Sequence, residues 1–591
     1  MYEMTRKEQE LRDEAYGRLR IWRDGCREIH DRAKEARKIL LLQDPKQDKD
    51  AGRKTIQLQT LKSTFNNCVA DQMDNMPEAL MLPETAQLSE LSEDMTDIVR
   101  FVMNRNNYES LHRKRVEDCF CTGTSITQIA WDPSMDDGKG NVAVVRWPVE
   151  AFLWDPAADD VQNARAVFKL SWHPMSWYKE HYPDRYEAMG TDEFVYDELA
   201  MPDAQKDNQV ADEGRAMLFE YWYRKYDAKT MRYSINVAFL AGGIVLEQME
   251  NVYAHGMYPF VLDVYTPIEG LPVGDGLIQE MIPMMRYVNR YASYIDMNLR
   301  MASKGRLLID RNAGIDKEAL LNWENDVVEG DRIDPSALQW LQNQPFTSMV
   351  TQQMLQLQTD IKQDSGQNQF TRGETAGGVT AASAISALQE AGGKITRLRT
   401  NVFNQGFKAI VEQVLWLISQ FYDKKRVLFV TGDKNGIATK REIQADPERL
   451  FGRKGSQHLP PPPYTVQIQV QRRNPLRQQA QNELIIQAYN MSAQSGQYFP
   501  LSTLFELLYV DGKDRIIPVL RQNEAYMQQM QQMQAQVEQQ ASQIQQMAQG
   551  MANLYEINEQ LMSTQTKRGA GSMNPSEQAS EGMLAAEGVG L

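Results

Sequence analysis

The sequence predicts an α+β protein that is mostly helical, and three observations predict it. Apolar residues recur at helical spacing from residue 4 to about 121. Between 124 and about 267 the pattern turns to short runs of alternating apolar and polar residues, separated by turn-rich breaks. From 275 onward long helical stretches dominate, with one small mixed segment and one return of strand pattern among them. With 591 residues, 42% hydrophobic and 24% charged, the chain can form several domains and offset the ordering entropy of their cores.

Residues 4 to about 41 read as a long charged helix with a loose apolar stripe of Leu11, Tyr16, Leu19, Trp22, Ile29, Ala33 and Ile39. The polar loop DPKQDKDAGRKT follows. Residues 55–76 and 86–107 read as helices broken by Pro77 and Pro83, and another helix is expected over 108–121. TSITQIAWD, NVAVVRWPV, ARAVFKLSWHP, AMLFEYWYRKYD, RYSINVAFLAGGIVLEQ and YPFVLDVYTP carry the strand pattern. The chain is helical again over 275–303, where Pro283 falls in the first turns and need only kink the helix. The strand GRLLID, the helix DKEALLNWEND and the turn EGDR follow, then a helix over 346–364. The Gly/Thr-rich loop QNQFTRGETAGGVT leads into a very long helix beginning at Ala381, with Thr380 placed to cap it and Gly392-Gly393 interrupting it. Strands return at RVLFVTG and YTVQIQVQ around a loop holding Pro460 to Pro463. Helices return at NPLRQQAQNELIIQAYNMSA and PLSTLFELLYV. Residues 521–565 form a Gln- and Met-rich helix whose heptad seam is Met530, Val537, Ile544 and Met551 with Met533, Gln540, Met547 and Leu554. The last residues have a disordered composition.

Lys plus Arg is 64 and Asp plus Glu is 79, so the formal net charge is −15. That makes the chain a poor candidate for tight, sequence-independent DNA binding, which works by neutralising phosphates. It suits a wall along which DNA must slide without sticking. Cys26, Cys68, Cys119 and Cys121 contain no two pairs at zinc-ligand spacing and are expected to be free thiols in a reducing cytosol. The charged N-terminus MYEMTRKEQELRDE is unlike a secretory signal, and no apolar run reaches the roughly 18 residues of a membrane span. In Gly392-Gly393-Lys394-Ile395-Thr396, Leu388 and Ile395 stand where a phosphate loop needs Gly and Ser/Thr, so a kink is the better account. Asp132, Asp136 and Asp137, and Asp155, Asp159 and Asp160, lie in turns where Asp is expected for backbone reasons rather than as metal ligands. The histidines are scattered and no hydrolase motif occurs. No cofactor, metal or catalytic group is expected. A packaging ATPase or nuclease would lack its motif, and a coiled-coil scaffold would account only for residues 521–565.

Three stretches carry a family resemblance: VRWPVEAFLWDPAADD at 145–160, PVGDGLIQEMIPMMRYVNRYASYIDMNLRMAS at 272–303 and RGETAGGVTAASAISALQEAGGKITRLRTNVF at 372–403. Together with the order of elements they resemble the portal, or head-tail connector, proteins of tailed bacteriophages. The helical tail is similar to the barrel extension of the short-tailed phage type. The resemblance implies a portal fold. Its parts would be a wing over 1–274, a stem helix over 275–303, a clip over 304–345, a second stem helix over 346–365 and a tunnel loop over 366–380. Beyond these would come a glycine-kinked spine helix over 381–423, a wing β return over 424–473, a crown over 474–520, a barrel-like helix over 521–565 and a disordered tail over 566–591.

It further implies a dodecameric ring in the virion, assembled in the host cytoplasm at one capsid vertex. Double-stranded DNA would pass through it during packaging and ejection. Its partners would be the terminase large subunit, head-tail adaptor and tail proteins, and the major capsid and scaffolding proteins, without a membrane. The implied DNA-facing loop residues are Thr371, Arg372, Gly373, Glu374, Thr375, Gly377, Gly378 and Thr380. Basic channel candidates on the stem are Arg286, Arg290, Arg300, Lys304 and Arg306. Gly392 and Gly393 would kink the spine helix. Arg397 and Arg399 after them are open to an acidic neighbour or a subunit interface.

Overall fold

The computed structural model describes residues 3–43, 56–84, 88–190, 214–227, 231–303, 306–322, 324, 326–331, 338–341, 348–367, 393–422, 426–434, 437–445, 447–451, 461–472, 475–494, 500–508 and 513–568. Helix α1 spans Arg6–Leu40 and opens on a capping box, in which the Thr5 hydroxyl accepts from the Glu8 amide and the Glu8 carboxylate accepts from the Thr5 amide. Helix α2 spans Thr60–Met73. Next comes a strand, β1, over Asn75–Pro83, where the sequence suggested only a break between helices. Helices α3 (Ser89–Arg105) and α4 (Tyr108–Thr122) follow. The strands β2 (Thr124–Asp132), β3 (Asn141–Trp147), β4 (Phe152–Trp154), β5 (Ala166–Pro174), β6 (Arg215–Asp227), β7 (Arg232–Ala241), β8 (Ile244–Met249) and β9 (Phe260–Val264) match the alternating segments closely. Two short strands, β10 (Thr266–Pro267) and β11 (Gly274–Asp275), lead into α5, Leu277–Ser303. The hairpin strands β12 (Arg306–Ile309) and β13 (Leu338–Leu341) precede α6, Ser348–Asp364. The helix expected at DKEALLNWEND is shorter, Lys317–Leu321.

Helix α7 is described over Lys394–Phe421. Strands β14 (Arg426–Lys434) and β15 (Ile437–Ala445) form a hairpin, and the second of them was not expected from the sequence. Strand β16 (Tyr464–Arg472) is followed by α8 (Pro475–Gln494), α9 (Leu501–Leu507) and α10 (Lys513–Arg568). Two compact units result: Met1–Gly432 with Thr439–Gln478, and Asp433–Ala438 with Gln479–Leu591.

In the first unit a five-stranded antiparallel sheet runs β4-β5-β6-β7-β8 and a three-stranded one runs β3-β2-β9. The buried face of α1, including Leu19, Trp22, Cys26 and Ala33, covers the larger sheet. There Trp22 meets Phe168 at 5.7 Å and His30 meets Trp154 at 5.6 Å between ring centroids. Helices α4 and α7 pack on β2 and β9. At that seam the Arg115 guanidinium forks onto both oxygens of Asp263 at 2.7 and 3.0 Å, with neither side chain exposed. Arg37 at the end of α1 donates to Glu150 at 2.7 Å and Asp118 at 3.2 Å, and Arg146 donates to Asp118 at 2.7 Å. These two networks tie α1, α4 and the smaller sheet into one body. A second core, built from Phe65, Cys68, Val116, Phe120, Leu277, Met281, Met285, Ile361 and Phe403, holds the first turns of α5 and the end of α6 against α2 and α4.

Candidate functional site

Helix α5 changes character along its length. Its first half buries Leu277, Ile278, Met281, Ile282, Met285 and Val288, while nothing in the second half is fully buried. One exposed stripe runs the whole way: Glu280, Pro283, Tyr287, Arg290, Tyr294, Met297 and Met301. Steps of three and four residues alternate along it, so the stripe is a single helix face with a 3.5-residue period. Its apolar members are substantially uncovered, with Tyr287 at 51%, Tyr294 at 49% and Met297 at 46%. Pro283 lies on this outer face, two turns into the helix, as the sequence placed it. The helix is pinned at its root rather than its tip. Arg286 is paired with Glu35 of α1, Asp275 is paired with Arg32, and Ser293 and Asn289 accept the amides of Ile56 and Leu58 at 3.0 Å.

Among the basic candidates, Arg286 is therefore held by α1. Arg290 lies over the Tyr287 ring at 5.7 Å and Arg300 pairs with Asp296 one turn away at 2.9 Å. The Arg306 backbone is in β12, opposite Leu341. Lys304 lies outside the described residues, as do Thr371, Arg372, Gly373, Glu374, Thr375, Gly377, Gly378, Thr380 and Gly392. Gly393 is the N-cap of α7 at φ −77°, and the expected helix over 381–392 is likewise outside the described residues.

The turn aspartates have backbone and ion-pair roles. Asp132 accepts from the Ser134 amide, Asp136 pairs with Arg105 and Asn141, and Asp160 accepts from the Gln162 amide. Asp155 accepts from the Ala157 amide and from Arg165, which holds its carboxyl below the usual range. Among the described residues no group of three His, Cys, Asp or Glu side chains could hold a metal ion. Burial pushes the Cys26 and Cys121 thiols up to about 12 and the Cys119 thiol well above its ordinary value, so none is a ready nucleophile. Burial pushes His30 and His255 down to about 4 and, with Arg115 beside it, His112 down to about 3. His30 and His112 are neutral core histidines, and His255 is half-buried.

Sequence reasoning missed the half-buried Arg37 and the buried Arg115, whose acidic partners are far away in the chain, and it left open the partners of Arg399, which is buried against neutral acceptors. The available signal was the lone Asp263 inside the apolar run FVLDV, since a buried carboxylate needs a cation.

In the second unit, Glu524 of α10 accepts from the Ser502 amide at 2.8 Å and from its hydroxyl at 2.5 Å, which fastens α9 to α10. Beyond that contact the seam of α10 is uncovered on one chain. Met530, Met533, Val537, Ile544, Met547, Met551 and Leu554 are all exposed, and the helix begins at Lys513 rather than near 521.

A β-rich body, a long helix rooted in it, a two-stranded ladder and a return helix make an α+β, mostly helical fold, and the class it belongs to is given by its family. The family model described as Phage P22-like portal protein matches residues 9–564, and the chain belongs to that family. It is thus a tailed-phage portal protein of the short-tailed type, a component of the virion capsid. The sequence matches none of the curated proteins compared with it. A solved chain from "Virion of native gene transfer agent (GTA) particle" is similar at 9% identity and a TM-score of 0.33, covering 62% of this chain and 78% of that one. No described helix is long and apolar enough to cross a membrane.

Proposed function

We propose that this chain is one subunit of a twelve-fold ring that conducts double-stranded DNA through one capsid vertex, inward during packaging and outward during ejection. The carrying observation is the exposed stripe on α5. Tyr287, Tyr294, Met297 and Met301 present more apolar surface than a soluble monomer gains by exposing, and a repeating neighbour would cover it. In this reading residues 1–274 and 424–473 are the wing, 275–303 and 346–365 the stem and 304–345 the clip. Residues 366–380 are the tunnel loop, 381–423 the spine helix, 474–520 the crown and 521–565 a barrel-like helix.

The clip would dock the terminase large subunit first and the head-tail adaptor and tail proteins later, with the major capsid and scaffolding proteins around the wing. The chain supplies no chemistry. Its net charge of −15 keeps phosphates from adhering, and the basic candidates Arg286, Arg290, Arg300, Lys304 and Arg306 would be its points of attraction. The terminase motor supplies the work, and residues 371–380 touch the DNA at the narrowest point. Negative-stain microscopy of the purified protein tests the reading: rings with a central channel are expected, and rods or monomers at every concentration and salt would overturn it.

A further inference from the structure

Helix α6 ends in a defined way. The Gln367 amide bonds to the Lys362 carbonyl at 3.0 Å and the Gly366 amide to the Gln363 carbonyl at 2.8 Å, which is the Schellman pattern. Gly366 supplies the positive φ of 76° that this pattern needs. A Cβ on Gly366 would lie 3.2 Å from Ile395, so the point where the chain leaves for residues 368–392 touches the point where it returns. Both points rest on α2. Gln367 donates to Asp71 at 2.8 Å and contacts the Cys68 sulfur at 3.8 Å. From the other root, the Thr400 hydroxyl donates to Gln72 at 3.0 Å, and Gln72 reaches the Thr396 carbonyl at 3.5 Å. Cys68, Asp71 and Gln72 are three and four residues apart and form one face of α2.

Arg399 joins the two roots. It is buried, its guanidinium is 5.5 Å from the centroids of both Phe120 and Tyr265, and it donates to the Ser365 carbonyl at 2.9 Å and the Tyr265 hydroxyl at 2.9 and 3.1 Å. A third contact, 3.7 Å long, reaches the Cys68 sulfur. These acceptors are neutral, so the charge is stabilised by aromatic faces and by the field of nearby Asp71 rather than by a direct ion pair. A buried guanidinium is an expensive way to close a helical connection, because its desolvation must be offset by a full set of bonds. An apolar residue would have packed the same space. What the arginine adds is direction, since its fork holds the end of α6, the start of α7, α2 and the wing residue Tyr265 in one geometry.

We propose that Arg399, with Cys68, Asp71, Gln72 and Gln367, is the fixed pivot of the segment 368–392. It would refer the position of that segment to the wing body rather than to the stem helix alone. The inference rests on reading the segment as the tunnel loop, and Arg399 acts as a positioning residue.

The test uses the full-length protein. Arg399→Met should raise hydrogen exchange of residues 361–367 and 394–400 by about tenfold while leaving the β2 ladder unchanged. If Arg399→Met does not fold, Arg399→Lys keeps the charge and removes the fork, and the same exchange is read. Unchanged exchange in the folded variant would overturn the pivot. Exchange is measured on purified protein, so it stands apart from the DNA reading. Loosened roots with undiminished packaging would tell against the tunnel-loop function and leave the pivot intact.

Discussion

Single residues set the stability of the first unit through a few buried charges. Gly406 of α7 lies against the Arg115–Asp263 pair so closely that an added Cβ would fall 1.7 Å from the Asp263 carboxylate and 2.9 Å from the Arg115 guanidinium. Gly406→Ala must therefore separate a fully buried ion pair, and chemical denaturation should show a loss of about 3–5 kcal/mol. The histidines shifted by burial give the pH dependence. An unfolded chain takes up protons on histidine near pH 6.5, whereas folded His30 and His255 resist until about 4 and His112 until about 3. In that window the unfolded state binds more protons, so stability is complete above about pH 6.5 and falls as pH drops toward 4. For one such group the loss is on the order of 3 kcal/mol. Glu150 acts with the same sign at lower pH. Burial would raise its carboxyl, but Arg37 outweighs burial and lowers it, so its contribution is lost only below the ordinary carboxylate range. Asp71 and Asp263, raised by burial, work in the opposite direction. His112→Leu should flatten the fall in thermal midpoint between pH 6.5 and 4.5, and an unchanged slope would refute the assignment.

At the level of elements, the stripe on α5 separates folding from assembly. Tyr294 and Met297 are about half exposed on one chain, so Tyr294→Glu with Met297→Glu should change the unfolding free energy of the monomer by no more than about 0.5 kcal/mol. The same pair buries two charges if the face is covered by a neighbour, and light scattering should find monomer in place of ring. The helix itself was legible in the sequence because α5 is long and apolar at helical spacing, whereas its exposed Tyr and Met stripe was not, since one chain's sequence does not say which apolar residues stay uncovered. The strands β2, β5 and β6 were legible because short runs rich in β-branched and aromatic residues, with local alternation such as FKLSWH in β5, lie between turn-rich breaks. Strand β1 was not. NMPEALMLP holds helix formers between two prolines and shows no alternation. It becomes a strand by pairing with β16, Met76 opposite Gln471 and Leu82 opposite Thr465, in a two-stranded ladder whose open edges tolerate proline. Strand β15, IATKREIQA, hid its apolar alternation behind charges. Arg399 escaped because its partners are contributed by Cys68, Tyr265 and Ser365, and no local pattern announces a contact across more than three hundred residues.

For the whole molecule, the question is which surfaces make the ring and which are carried by it. Helix α10 extends over Lys513–Arg568, and its seam from Met530 to Leu554 is exposed along its length. Between Arg521 and Lys567 the only charged side chains are Glu524, Glu538, Glu556 and Glu559. A helix with so narrow a seam has little to bury alone and is fastened at its start, where Glu524 bonds Ser502 and Arg521 pairs with Glu506. Side by side in a ring, neighbouring copies would share the methionine seam, with glutamines bonding around it. They would also bring like charges together, so the tube should be the first part to melt and should gain stability with salt. In the proposed ring the stripe on α5 would make its contacts without it. A cut belongs after Gln529, because Glu524 is part of the α9 contact. That truncated protein should still form rings of the same subunit number by mass measurement, with the defect confined to DNA packaging or ejection. A truncated chain that remains monomeric while folded would transfer the determinant of assembly from the stem stripe to the C-terminal helix.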